Sequence, residues 1–253
     1  MQKITCKITA LAMALIAFVL APTAAKAQEA YAVMDEEGVL TFYYDDQRAE
    51  RVGDAYDVPQ DGGELPWLSF DSDIILVVFN ESFKDFYPTT TASWFYSCSN
   101  IEEFVGMQYL STAGVTDMTE MFSNCFSLTS LDLSDFDTAK VTKMDGMFQF
   151  CQNLKTIYCS DTWSCESSSD MFDGCTELEG AVPYDESMTD VSMANPDTGY
   201  FTKTDASVTD INADESLAPA EIYNLQGIRM QAPLSGLPAG IYISGGRKVL
   251  LRR

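Results

Sequence analysis

A spacing of 26 residues constrains this chain more than any other feature. Val115-Thr116-Asp117-Met118, Met121-Phe122, Cys125, Leu128 and Leu131 recur as Val141-Thr142-Lys143-Met144, Met147-Phe148, Cys151, Leu154 and Ile157. A third copy, Met171-Phe172, Cys175, Leu178 and Ala181, follows after 24 residues, and an earlier, degenerate copy, Trp94-Phe95, Cys98, Ile101 and Phe104, precedes by 27. A unit this short cannot bury its apolar face alone, so the units must stack and cover one another. The chain therefore has to fold as an array.

The pattern inside a unit predicts its elements. Val141, Met144, Met147, Phe148 and Cys151 step by 3, 3, 1 and 3, which predicts one face of a short helix. Asp137 or Thr138 stands ready to cap it. Leu128-x-x-Leu131-x-Leu133 and Leu154-x-x-Ile157-x-Cys159 have the leucine-rich-repeat form, and their last two apolar positions alternate as in a strand. Ile75-Leu76-Val77-Val78-Phe79 falls where the strand of a preceding coil belongs. The expected fold class is α/β. It is a short leucine-rich-repeat-type solenoid with a strand and a short helix per coil, an N-terminal β-hairpin cap and a small C-terminal all-β tail.

The same register places most cysteines. Cys98, Cys125, Cys151 and Cys175 share one position between an aromatic and a leucine or isoleucine. That reads as a column of buried thiols, because free cysteine is among the most buried residue types. The alternative is a disulfide or thiolate metal site. Strands about 4.8 Å apart are within reach of a bridge, but side chains pointing the same way meet its geometry badly. Cys159 aligns with Leu133 and belongs to the core, while Cys165 is unaligned. A Cys159–Cys165 disulfide stays open in an exported chain; their spacing has no zinc pattern behind it.

The flanks divide the rest. Residues 1–27 read as a signal peptide: Lys3 and Lys7, an apolar run from Ala10 to Ala21, and Ala25-Lys26-Ala27 as the cleavage site. The run is short of the ~20 residues that span a bilayer, so no membrane span is expected. Residues 28–72 form an N-terminal β cap. Tyr31–Met34 and Val39–Tyr44 make a hairpin around Asp35–Gly38, Trp67 and Phe70 pack on it, and Arg48–Glu64 is a loop. The solenoid occupies 73–201, with an irregular last coil. Residues 202–220 are a linker, and 221–253 a β module with Gly245-Gly246 as a hairpin turn. About 32 residues are too few for a robust core of their own.

Charge and missing residue types narrow the function. The chain has no histidine, which removes Ser-His and Cys-His nucleophile pairs and imidazole metal ligands. With 15 Lys+Arg against 38 Asp+Glu, it is a poor binder of phosphate backbones, and no nucleic-acid partner is expected. Every acid lies between Glu29 and Glu221, so residues 28–221 carry −31 and residues 222–253 carry +5. No EF-hand loop, phosphate loop or nucleophile elbow is present. Neither metal nor cofactor is expected. Carboxylate pairs at glycosidase spacing arise from sheer density among 38 acids, so no catalytic residue is assigned; Asp135 and Asp137 read as turn residues. The reading is a non-enzymatic binding protein. Its alternative is a carbohydrate-active enzyme or glycan-binding accessory protein using paired carboxylates. The candidate binding residues stand between the leucines on the open strand face: Ser130, Asp132 and Ser134, then Thr156, Tyr158 and Ser160. Tyrosine gives large contact area at low entropic cost, and an acidic face favours a basic or neutral partner.

The string Val-Thr-x-Met-x-x-Met-Phe-x-x-Cys-x-x-Leu-x-x-Leu-x-Leu-Ser-x-Phe-Asp-Thr at Val115–Thr138 resembles the repeat of the BspA-like leucine-rich-repeat surface proteins of Bacteroidota. The resemblance extends over roughly Ala30 to Thr202. It includes Thr41-Phe42-Tyr43-Tyr44-Asp45 and Asn195-Pro196-x-x-Gly199-Tyr200-Phe201-Thr202. Tyr223-Asn224-Leu225-Gln226-Gly227, Gly240-Ile241-Tyr242-Ile243 and Gly246-Arg247-Lys248-Val249 resemble a type IX secretion C-terminal sorting domain. What the resemblance implies is an extracellular or outer-surface protein that adheres to a protein or glycan on a host or bacterial surface. Its tail would engage the outer-membrane secretion machinery. Relatives often carry many more coils, which leaves a small area here for a large ligand.

Overall fold

A computed structural model describes residues 26–203 and three C-terminal strands. Of the leader read at residues 1–27, residues 1–25 lie outside the described residues, as do residues 204–220 of the linker and the Gly245-Gly246 turn. The strands are β1 (Glu29–Met34), β2 (Val39–Asp45), β3 (Asp54–Asp57), β4 (Leu76–Phe79), β5 (Glu103–Val105), β6 (Ser130–Asp132), β7 (Thr156–Tyr158), β8 (Phe201–Thr202), β9 (Ile222–Tyr223), β10 (Gly240–Ser244) and β11 (Arg247–Leu251). They form sheets ordered β3-β1-β2-β4-β5, β6-β7-β8 and β11-β10-β9. Short 3-10 helices complete the described elements, and none of these is an α-helix.

The N-terminal hairpin joins the array through its second strand. β1 and β2 pair antiparallel with Tyr31 opposite Tyr43, and β2 then runs parallel to β4, from Val39 opposite Leu76 to Phe42 opposite Phe79. β5 continues the parallel ladder. Alternation puts Leu40, Phe42, Val77 and Phe79 inside, all essentially without solvent contact. Phe42 stacks on Phe79 at 4.9 Å and on Trp94 at 5.7 Å. The buried Trp67 indole donates to the Trp94 carbonyl at 2.7 Å.

Two expectations for this region are corrected. The stretch from Arg48 to Glu64 is not all loop, because β3 pairs with the outer edge of β1. Its sequence Asp-Ala-Tyr-Asp carries charge at both ends, as edge strands do, and hides the strand signal. Arg51 ties the segment down, with its guanidinium 4.0 Å over the Tyr43 ring and an ion pair to Asp45 at 2.6 Å. Phe70 does not join the core with Trp67; it stays 42% exposed and leans on Tyr56.

The expected short helix in each unit is also absent. Apart from Thr119, which donates to the Asp117 carboxylate at 2.9 Å, the N–H groups from Met118 to Cys125 alternate between two destinations. Met118, Glu120, Phe122 and Asn124 donate to Lys143, Asp145, Met147 and Gln149 of the next unit at 2.8–2.9 Å. Met121, Ser123 and Cys125 donate three residues back, at 3.2 Å. The next unit repeats this. Met144, Gly146, Phe148 and Phe150 donate onward to Ser167, Ser169, Met171 and Asp173. An α-helix sends every N–H to its own i−4 carbonyl; here half of them link neighbouring units.

Backbone conformation enforces the alternation. Each unit has two left-handed positions four residues apart: Ser93 and Ser97, Glu120 and Asn124, Gly146 and Phe150, Asp170 and Gly174. Positive φ at the third residue of a turn is what a type II turn requires, and it ends helical propagation. The 3-3-1-3 spacing of apolar residues survives because successive turns, like helical turns, return to one face every three to four residues.

Stacked units place like on like. Phe95, Phe122, Phe148 and Phe172 form a column with centroid spacings of 5.9, 5.7 and 5.4 Å. Tyr200 closes it edge-on at 5.3 Å. Beside it runs the thiol column. Cys125, Cys151 and Cys175 each donate to the carbonyl of the preceding unit's phenylalanine: Phe95 at 3.3 Å, Phe122 at 3.0 Å and Phe148 at 2.9 Å. Burial, with a small contribution from the Asp71 charge, pushes the Cys98 thiol up to about 12. Burial likewise holds Cys125 and Cys175 well above the usual thiol range. Cys159 and Cys165 are not bridged: both are free thiols, directed at the carbonyls of Asp161 and Ser167.

Candidate functional site

The expected recognition residues sit on two adjacent parallel strands. β6 and β7 pair with Ser130 opposite Thr156, Leu131 opposite Ile157 and Asp132 opposite Tyr158. Leu131 and Ile157 are buried, so strand alternation turns the flanking residues outward. Ser130, Asp132 and Tyr158 are exposed and Thr156 is half-buried. The row continues onto β8, where Thr202 lies opposite Tyr158. Thr202 therefore belongs to the array and not to the linker assigned to 202–220. Phe201 buried and Thr202 outward repeat the alternation of Ile157 and Tyr158, and that was the available signal.

Ser134 and Ser160 lie beyond the paired residues. The Ser134 N–H and hydroxyl both donate to one Asp132 carboxylate oxygen, at 3.0 and 2.6 Å. Asp132 thus closes a turn with one oxygen and offers its remaining acceptor capacity to solvent. Past these strand ends opens a cleft of about 550 Å³. Its walls include Ser134, Asp135, Asp137, Asp161, Thr162 and Ser164, and no basic residue lines it. Asp137 also caps a turn, accepting from the Ala139 N–H at 3.0 Å.

Row and cleft together present hydroxyls, carboxylates and one tyrosine ring. Such a surface accepts hydrogen bonds and attracts cations and hydroxyl-rich molecules. Towards the N-terminus the outward row becomes mixed, with Leu76 and Val78 on β4 and Glu103 and Val105 on β5, all half-buried. No group of three or more His, Cys, Asp or Glu residues among those described has the arrangement to hold a metal ion. No helix among the described residues is long and apolar enough to cross a membrane.

Residues 89–212 match a family model described as a Mycoplasma protein of unknown function, DUF285. No curated protein matches the chain. Among solved structures, a leucine rich cell surface protein from Faecalibacterium prausnitzii A2-165 is similar at 14% identity, covering 60% of this chain and 52% of that protein, with a TM-score of 0.28. The chain thus spans about half the length of that protein.

Proposed function

We propose that this chain is an exported, surface-associated binding protein of the BspA-like kind. In this reading its units form a short leucine-rich-repeat solenoid, and its outward strand row recognises a protein or glycan on a host or bacterial surface. The observation that carries the reading is the in-register row of Ser130 and Thr156, then Asp132, Tyr158 and Thr202. An array that repeats its backbone at each step displays these side chains at fixed spacing, a rigid platform for recognition. The repeat register and the family match over residues 89–212 support it. The C-terminal module is read as a sorting signal for outer-membrane secretion machinery.

The test is a pull-down of residues 28–253 against extracellular matrix proteins and cell-wall glycans, followed by affinity measurement on any ligand retained. The folded double variant Tyr158→Ala with Asp132→Ala is expected to bind about tenfold more weakly or worse, a loss of ~1.4 kcal/mol. Unchanged affinity sinks the assignment of this face.

A further inference from the structure

A pocket of about 440 Å³ opens at the N-terminal edge, beside the turn between β1 and β2. Asp35, Glu36, Glu37, Asp54 and Asp73 line it, with no lysine or arginine among them. The ion pairs found among the described residues involve none of these five acids. Its floor is apolar. Tyr56 and Phe70 meet there at 6.0 Å, next to Ile75, and Phe70 and Ile75 are 42% and 44% exposed. An apolar floor inside an uncompensated acidic rim fits an occupant that is both apolar and basic.

The chain carries such a segment. Residues 222–253 hold Arg229, Arg247, Lys248, Arg252 and Arg253, no acid, and the apolar run Val249-Leu250-Leu251. A segment of this size cannot bury its own apolar side chains, so it needs a surface to pack on. It can also reach the pocket. Residues 204–221 span up to ~60 Å when extended, while stepping from β8 back to β2 covers about 25 Å at strand spacing. We propose that the basic C-terminal segment, through Arg247–Arg253, docks into this acidic, aromatic-floored pocket of its own chain. The contact is separate from the strand row and from whatever ligand that row takes.

Carbodiimide cross-linking of residues 28–253, with peptide mapping, tests this. The reagent joins a lysine amine directly to a carboxylate it touches. The Lys203–Asp197 pair, 2.6 Å apart, is the internal control for reactivity. The expected result is an intrachain amide from Lys248 to Glu36, Glu37, Asp54 or Asp73. Its yield should fall about fivefold or more in ~1 M salt, where the Debye length is near 3 Å, and equally in the variant Glu36→Gln/Glu37→Gln/Asp54→Asn. Three results each overturn the proposal while the control link forms: no Lys248 link, Lys248 links to other acids alone, or links between two copies alone.

Discussion

Replacing Gly146 by alanine separates the turn architecture from a helix by the sign of the effect. In a helix interior the exchange stabilises by roughly 0.5–1 kcal/mol. Here Gly146 has φ +59°, and a Cβ would find its nearest neighbours, Gln149 Oε1 and Glu120 Cγ, at an unstrained 3.5 Å. Space is available, so the cost is conformational: about 1–2 kcal/mol for a left-handed L-residue, less ~0.4–1 kcal/mol from the stiffer unfolded chain. The net expectation is a loss of about 0.5–1 kcal/mol. Gly174 shares the conformation at φ +74°, but its Cβ would lie 2.6 Å from Phe150 Cδ1 and 3.3 Å from Phe150 Cα. Overpacking of that kind adds ~1–3 kcal/mol. Gly174→Ala should therefore lose about 2–4 kcal/mol, and in a Phe150→Ala background its cost should shrink towards that of Gly146→Ala. Equilibrium urea unfolding measures this. With a slope of ~2–3 kcal/mol/M, a 1 kcal/mol loss lowers the midpoint by about 0.3–0.5 M. A stabilising Gly146→Ala would refute the turn architecture. Equal costs for Gly174→Ala in both backgrounds would refute the Phe150 contact.

Phe148 stacks on Phe122 and Phe172 at once, so Phe148→Ala should cost ~3–5 kcal/mol; a midpoint within experimental error of the parent would show that the column is not continuous. Alkylation of the native protein near pH 8, mapped by mass spectrometry, should modify half-buried Cys165 first and leave Cys98, Cys125, Cys151 and Cys175 unmodified until unfolding, since all four are buried. Alkali should destabilise the fold. The Cys98 thiol titrates at about 12 when folded against 9.0 otherwise, so its stabilising contribution is complete below pH 9 and is lost as pH rises towards 12. Thermal melts flat between pH 9 and 11 would contradict the burial of that column.

The sequence made some of this legible and hid the rest for identifiable reasons. Strands β6 and β7 are legible because period-two alternation has few other causes, and β4 because the apolar run Ile75–Phe79 falls where the strand of a preceding unit belongs. The apolar spacing of three and four residues does not separate a helix from these turns, because consecutive turns produce it equally. The discriminating signal was present: Gly146, Gly174 and Asn124 occupy what a helix would make interior positions, and these are residue types that tolerate positive φ. The pocket beside the hairpin could not be read, since it joins residues from four separate stretches between Met34 and Asn100.

The acidic composition takes on a specific meaning from the turns. Asp35, Asp45, Asp117, Asp132, Asp137, Asp185 and Asp190 each accept from the N–H two residues on, the Asx-turn geometry. Hydrogen bonds from the Ser187 and Ser192 side chains, with their backbone N–H groups, hold Asp185 and Asp190 below the ordinary carboxylate range. An array of short turns needs such a carboxylate at many corners, and each corner adds charge whether or not any ligand is bound. Negative charge in this chain is thus partly a by-product of turn architecture, and its total says little about a binding site. A site is better sought where acids line a surface without a basic neighbour and with apolar area beside them. The pocket at Asp54, Asp73, Tyr56 and Phe70 meets that condition. The outward row at Asp132 and Tyr158 meets it more weakly, because one Asp132 oxygen is already engaged by Ser134, so Tyr158 should carry the larger share of any binding there.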